Sequence, residues 1–332
     1  MSRHKTYNGV NIDRMYKVFI DGEHGTTGLE IRERLSGRDD IELLKIDENL
    51  RKDLGARAEM AKRADVTIMC LPDKASEELA DVLPEDVRLI DTSTAHRTSP
   101  GWVYGMPEVE PGAREMIRRA ARVANPGCHA TGFILLARPV VDAGIISSKS
   151  SLSCFCVTGY SGGGRKMIED YDRKHIEMDS AVSPVQYALG QSHKHLPEMK
   201  KMSGLEKEPV FCPVIGDFYR GMVMTIEVPA DMLSDLGCND DNSEDAVELL
   251  KNTYKKRYAD EPLIRITEPP EDGFLYSDTM AGSDSFEIMV SGNNDRIILV
   301  SRFDNLGKGA SGAAVQNLNI MLGIEETKGL SI

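Results

Sequence analysis

Residues 16–35 read YKVFIDGEHGTTGLEIRERL. Tyr16 to Asp21 is an apolar, β-rich run that enters Gly22-Glu-His-Gly25-Thr26-Thr27-Gly28 directly, and Leu29 to Leu35 then repeats apolar residues at helical spacing. A strand, a glycine loop and a helix in immediate succession make the first turn of a doubly wound α/β unit. There, glycines let backbone amides and a helix N-terminus approach a pyrophosphate. The spacing is G-x-x-G-x-x-G rather than the commoner G-x-G-x-x-G, so a tight turn without a ligand is the competing explanation.

The residues that follow extend the pattern. Ile41 to Ile46, Val66 to Leu71 and Val87 to Asp91 are continuous apolar runs, as expected of strands covered on both faces. Helical spacing occupies Thr27 to Leu35, Leu54 to Ala64 and Ala75 to Val82. Residues 16–127 therefore read as a Rossmann-like dinucleotide-binding domain with a parallel sheet. From Leu152 the texture changes to longer β-rich segments: Leu152 to Val157, Val210 to Ile215, Met222 to Val228 and Ile297 to Phe303. One helix interrupts them, with Val247, Leu250, Tyr254 and Tyr258 at helical spacing after an Asn242/Ser243 start signal. Residues 128–304 read as an α+β catalytic domain with a mixed or antiparallel sheet. Residues 305–332 read as a C-terminal helix, stopped by Gly323, that returns to the first domain, and residues 1–15 as a disordered extension.

The glycine loop favours a nicotinamide cofactor, but its neighbours disagree on which. Asp47 follows the second strand and favours the free ribose hydroxyls of NAD. Thr26, Thr27, Arg51 and Lys52 offer partners to the 2′-phosphate of NADP, although a solvated loop explains Arg51 and Lys52 equally well. A formal net charge of −13 disfavours nucleic acid and anionic membrane as partners. No apolar run approaches the roughly 20 residues that cross a bilayer, and the N-terminal segment lacks the apolar stretch of a secretory signal. The six cysteines are scattered, as expected of reduced thiols in the cytoplasm. Cys154 and Cys156 share one face of a strand, where burial explains them better than metal ligation, and no metal site is expected.

Asn125-Pro-Gly-Cys128-His-Ala-Thr-Gly132 carries the chemistry. Pro126 and Gly127 make a sharp turn and FILLARPVVDAG follows as an apolar helix, so Cys128 falls at a helix N-terminus, whose partial positive charge favours thiolate. A nucleophilic thiol wants a base within reach. His193 and His195 share one loop, and their spacing alone does not separate them.

Taken together, YKVFIDGEHGTTGLEIRERL, LIDTSTAHR, YGMPE, ANPGCHATG, TGYSGGGRK, HKHLPEM and DNLGKGASGAAVQNLNIMLG, in that order, resemble the shorter form of the N-acetyl-gamma-glutamyl-phosphate reductases, within the semialdehyde dehydrogenase superfamily. The resemblance implies a cytoplasmic homo-oligomer of arginine biosynthesis. It would reduce N-acetyl-gamma-glutamyl phosphate with NADPH, through a cysteine thioester, to N-acetylglutamate semialdehyde and phosphate. It matches Cys128 to the nucleophile and His193 to its acid/base partner, with His195 in reserve. Arg97 resembles an acyl-phosphate-binding arginine, and Arg220, Arg165 and Glu198 fall among the substrate-binding residues. Ser161, Gly162, Asn305 and Gly307 lie in glycine-rich stretches expected around substrate and nicotinamide, together with Gly22, Gly25, Thr26, Thr27 and Gly28 of the first loop. Where the family usually carries Tyr-Pro-Thr after the cysteine, this chain has His129-Ala130-Thr131. A sister acyl-phosphate reductase acting on aspartyl phosphate, and a non-catalytic dinucleotide sensor, are the alternative readings. The sensor would have no use for both the cysteine turn and the paired histidines.

Overall fold

The computed structural model describes residues 14–178, 180–233, 246–293 and 295–332, together with the backbone of Thr6–Tyr7 and Val10–Asn11. Those two short strands pair antiparallel. The rest of that extension before Arg14, Cys238 and the Asn242/Ser243 helix signal lie outside the described residues. The chain divides into two compact units, residues 1–126 with 310–330, and residues 127–309 with 331–332.

In the first unit, strands β1 (Tyr16–Asp21), β2 (Ile41–Leu44), β3 (Val66–Met69), β4 (Leu89–Asp91), β5 (Val103–Tyr104) and β6 (Arg122–Ala124) form one sheet in the order β2-β1-β3-β4-β6-β5. All its neighbouring pairs are parallel. Every residue of β3 and β4 is buried, and on β1 only Lys17 is exposed, because helices cover both faces. The connecting helices are α1 (Thr26–Ser36), α2 (Leu54–Arg63), α3 (Asp73–Val82) and α4 (Ala113–Arg119). The strand order turns about β1, with β2 on one side and β3 on the other. The glycine loop that follows β1 thus sits at the topological switch point, where open parallel sheets bind ligands.

The C-terminal helix (Gly312–Leu322) belongs to this unit and is buried along its whole length. Ala314, Val315 and Leu318 share a core with Val18, Ile20, Ile68 and Ile90. Its polar residues are buried with partners: Gln316 donates to Glu108, Asn317 to the carbonyl of Gly105, and Asn319 to the carbonyls of Glu326 and Lys328. Arg38 donates to Asn319 Oδ1 at 2.7 Å while pairing with Asp40, which ties the chain beyond α1 to the C-terminal helix.

In the second unit, β7 (Ser153–Gly159), β8 (Val185–Gln186), β9 (Val210–Gly216), β10 (Met222–Pro229), β11 (Ile264–Ile266), β12 (Phe286–Gly292) and β13 (Arg296–Phe303) form a sheet in the order β8-β9-β7-β10-β13-β12-β11. The sheet is mixed, since β9 runs parallel to β7 and β11 to β12. Burial alternates along β10, with Met222, Met224, Ile226 and Val228 inward. Helices α5 (Cys128–Asp142) and α8 (Ala246–Arg257) cover the inward face. Phe155, Val210 and Ile298 stand on the other face at 42%, 48% and 38% exposure. Helices α6 (Gly164–Met178) and α7 (Leu196–Ser203) complete the unit.

Phe133, Ile134, Leu135 and Leu136 of α5 are fully buried, each stabilising the fold by about 1.5–3 kcal/mol. Pro139 interrupts the same helix and has no N–H to give Leu135. The chain just past α8 supplies what is missing, since the Tyr258 hydroxyl donates to the Leu135 carbonyl at 2.8 Å, and one turn earlier the Tyr254 hydroxyl donates to the neighbouring Leu136 carbonyl at 2.6 Å. The helical spacing of these two tyrosines is therefore a hydrogen-bonding register as well as an apolar one. Tyr258→Phe should cost about 1–3 kcal/mol in urea unfolding, the penalty of an orphaned buried carbonyl. In a Pro139→Ala background, where residue 139 regains its N–H, the same change should cost much less. Equal costs in the two backgrounds would show that the hydroxyl does not serve the proline gap.

Candidate active site

In the first unit the glycine loop closes tightly. Gly22 has φ of 87° and lies so close to the carbonyl of Cys70 that a side chain has no room, and Gly25 N–H donates to the Gly22 carbonyl at 3.1 Å. At Gly28 a Cβ would stand 2.6 Å from the same carbonyl, so α1 can begin against the loop only because this residue is glycine. Gly25 is the N-cap of α1 and gives it no side-chain cap, and Thr26 and Thr27 follow in the first turn. A helix start with glycine at the N-cap and at its third residue, and with no side-chain cap, fits a dinucleotide pyrophosphate. Asp47 is exposed and its carboxylate accepts from Asn49 N–H at 2.9 Å, within its own turn. Arg51 is exposed beside Glu48. Arg97 is buried, with Nε donating to the carbonyl of Asn125 at 3.0 Å and Nη2 to that of Thr92 at 3.1 Å.

In the second unit Gly127 is the N-cap of α5 and Cys128 its first residue. Glu198, which is 1% exposed in the first turn of α7, accepts from Gly127 N–H at 3.3 Å and so fixes the peptide just before the thiol. On the opposite side the chain passes Cys128 so closely that a Cβ at Gly309 would stand 2.9 Å from the Cys128 Cβ.

The His129 imidazole has Nδ1 3.4 Å from Cys128 Sγ and Nε2 3.1 Å from the Tyr187 hydroxyl. Burial, then the nearby His193 and Lys194, push the His129 pKa down to about 3, so the ring is neutral and bridges thiol and phenol. Burial raises the Tyr187 hydroxyl well above the usual phenol range, and Cys156 behind it is likewise held as a thiol. His195 is 5% exposed, with Nε2 3.9 Å from Glu198 Oε1. Cys128 Sγ, one nitrogen of His129 and one nitrogen of His195 all lie within 4.8 Å of one another. His193 stands outside that trio and uses Nδ1 to accept from the backbone N–H of His195 at 3.2 Å.

The remaining residues singled out in the sequence separate into groups. Asn305 donates to Ser161 Oγ at 3.0 Å and accepts from Gly221 N–H at 2.8 Å, with Gly162 beside it. Gly307 packs against the carbonyl of Ser283. Arg220 pairs with the fully buried Asp304 at 2.6 Å. Arg165 is exposed and pairs with Glu169 one turn along α6. Sequence reasoning noted His129 only as a departure from a family pattern and passed over Tyr187. Adjacency to the cysteine was a signal for the first, whereas nothing local to Val185–Tyr187 marked the second.

Because the Gly309 site has no space for a methyl group, Gly309→Ala should displace Cys128. Iodoacetamide labelling of that thiol should slow several-fold, with a stability loss of about 1–3 kcal/mol. Unchanged labelling would mean that the passing chain does not position the thiol.

Two family models match the chain: "Semialdehyde dehydrogenase, NAD binding domain" over residues 26–117 and "Semialdehyde dehydrogenase, dimerisation domain" over residues 128–305. An N-acetyl-gamma-glutamyl-phosphate reductase 2 of Nostoc sp. is 43% identical over 328 residues, covering 95% of this chain and 99% of that protein. An N-acetyl-gamma-glutamyl-phosphate reductase of Brucella ovis is 42% identical over 315 residues, covering 92% and 99%. Among solved structures, aspartate semialdehyde dehydrogenase II of Vibrio cholerae superposes with a TM-score of 0.70 at 16% identity, over 93% of this chain and 99% of that one, a likeness of fold.

Proposed function

This chain belongs to the semialdehyde dehydrogenase family, among its N-acetyl-gamma-glutamyl-phosphate reductases, and from that premise we propose that it reduces N-acetyl-gamma-glutamyl phosphate through a thioester on Cys128. The observation that carries the proposal is the thiol at the first position of α5, with neutral imidazole beside it and the preceding peptide pinned by Glu198. The helix start favours thiolate. Attack on the acyl carbon expels phosphate and leaves the thioester, and backbone amides of the first α5 turn are suited to the developing oxyanion. NADPH, when bound, supplies the hydride that reduces the thioester carbon. The thiohemiacetal oxygen on Cys128 takes a proton as the hydride arrives and returns it as the thiolate leaves, releasing N-acetylglutamate semialdehyde.

A histidine must handle that proton. The family resemblance points to His193, whereas burial, approach to Cys128 and the Glu198 carboxylate favour His195 as the acid/base, with His193 shaping the loop. The family resemblance assigns Arg97 to the departing phosphate. Arg220, held by Asp304, is assigned to the substrate carboxylate. NADP is the proposed dinucleotide, as the family resemblance implies, with Asp47 as the residue that would instead read the free ribose of NAD. A homo-oligomer is proposed through the exposed apolar sheet face of Phe155, Val210 and Ile298, in keeping with the match to a dimerisation domain. Among the described residues no helix is long and apolar enough to cross a membrane, and five cysteines are free thiols, in keeping with a cytoplasmic setting.

Steady-state assays test the assignment. Cys128→Ser should abolish turnover while keeping dinucleotide binding, and His195→Asn should lower kcat by roughly 10² to 10⁴, more than His193→Asn does. NADPH should give the higher kcat/KM. Residual turnover above a few per cent in Cys128→Ser would defeat the covalent route. A larger loss in His193→Asn would return the acid/base role to His193, and higher efficiency with NADH would make Asp47 the ribose reader.

A further inference from the structure

We propose that Cys128, His129 and His195 form a binding site for a borderline-soft divalent cation, with zinc as its representative, and that occupation of this site masks the reactive thiol. The proposal rests on where three ligands converge and is independent of the reaction assigned to the enzyme. One thiol sulfur and two imidazole nitrogens lie within 4.8 Å of one another. Tetrahedral zinc with bonds of about 2.3 Å to sulfur and 2.0–2.1 Å to nitrogen holds such atoms roughly 3.4–3.6 Å apart. The Cys128 Sγ to His129 Nδ1 separation of 3.4 Å already meets that requirement, so closing the site asks only a side-chain adjustment of about 1 Å at His195.

The surroundings suit ligation as well. Metal-bound imidazoles hold their other ring nitrogen on an oxygen partner, which fixes the ring and the tautomer. The Tyr187 hydroxyl lies 3.1 Å from His129 Nε2, which leaves Nδ1, the nitrogen nearer the sulfur, for the metal. Glu198 Oε1 lies 3.9 Å from His195 Nε2 and provides a carboxylate neighbour for the second ring. Glu198 also accepts from Gly127 N–H, so the partner of one ligand fixes the peptide that precedes another. Three protein ligands leave a fourth position for water, a ligand set open to exchange rather than a closed structural site. On binding, the Cys128 S–H proton passes to solvent, and the metal takes the thiolate with two neutral imidazoles. The site is particular to chains with histidine after the nucleophile, since the tyrosine usual at that position in the family supplies no imidazole.

Cobalt gives the test a signal that does not depend on turnover. Chelator-stripped protein titrated with Co²⁺ should bind one ion per chain, with a tetrahedral visible spectrum and a near-ultraviolet sulfur-to-cobalt charge-transfer band. Zn²⁺ should displace the ion and block iodoacetamide labelling of Cys128, and EDTA should restore labelling. Cys128→Ser should lose the charge-transfer band, and His129→Tyr and His195→Asn should each weaken binding by on the order of 10- to 100-fold. A charge-transfer band that persists in Cys128→Ser would overturn the proposal, as would Co²⁺ affinity in folded His129→Tyr within twofold of the parent. X-ray absorption of the zinc-loaded parent protein requires no variant to fold. One sulfur with two imidazoles supports the site, and a shell of oxygens alone refutes it.

Discussion

Between β6 and α5 the chain has to end a buried strand and begin a buried helix across Asn125, Pro126 and Gly127, and its backbone polar groups are committed on both sides of that turn. Asn125 N–H donates to the Asp91 carbonyl at 2.7 Å, while its side chain donates to the carbonyl of Ala310 and accepts from Asn317. Gly127 N–H is taken by Glu198. With Gly127 N–H held by Glu198, the peptide that precedes Cys128 is fixed before the helix starts, and the chain at Gly309 bounds the residue itself. The burial of α5, the close passage at Gly309 and the convergence of His129 and His195 all presuppose that position.

A second constraint follows from burying so much backbone. A helix enclosed on every side cannot leave a carbonyl to water, and each departure from regularity needs a named donor. The Leu135 carbonyl that Pro139 leaves without a donor is met by the Tyr258 hydroxyl. The C-terminal helix is buried all round although its sequence includes Gln316, Asn317 and Asn319, and it tolerates them because each amide finds a carbonyl or carboxylate. Polar residues on a buried helix therefore record tertiary contacts that no apolar periodicity reveals.

The parallel sheet was legible because burial on both faces writes itself into continuous apolar runs, as in Val66–Met69. The second unit was legible as α+β from its longer β-rich segments, but not its strand pairing, since β7 and β9 lie parallel although far apart in sequence. β5 and β6 span two and three residues, too few for any period to show. In the candidate site, the turn before Cys128 could be read from proline, glycine and the apolar helix that follows. The order of the histidines could not: His195 is buried and His193 only half-buried two residues away, and the partner of His129 Nε2 is the hydroxyl of Tyr187, just past an edge strand remote in sequence.

The central claim is that the thiol at the α5 start carries the acyl group as a covalent intermediate. Mixing the protein with N-acetyl-gamma-glutamyl phosphate in the absence of NADPH, quenching in acid and measuring intact mass followed by peptide mapping addresses it directly. The account predicts one N-acetylglutamyl group per chain, confined to the peptide containing Cys128, released by hydroxylamine and absent from Cys128→Ser. Acylation that maps to another residue, or phosphate release with no acyl-protein formed at any time of quenching, would contradict it.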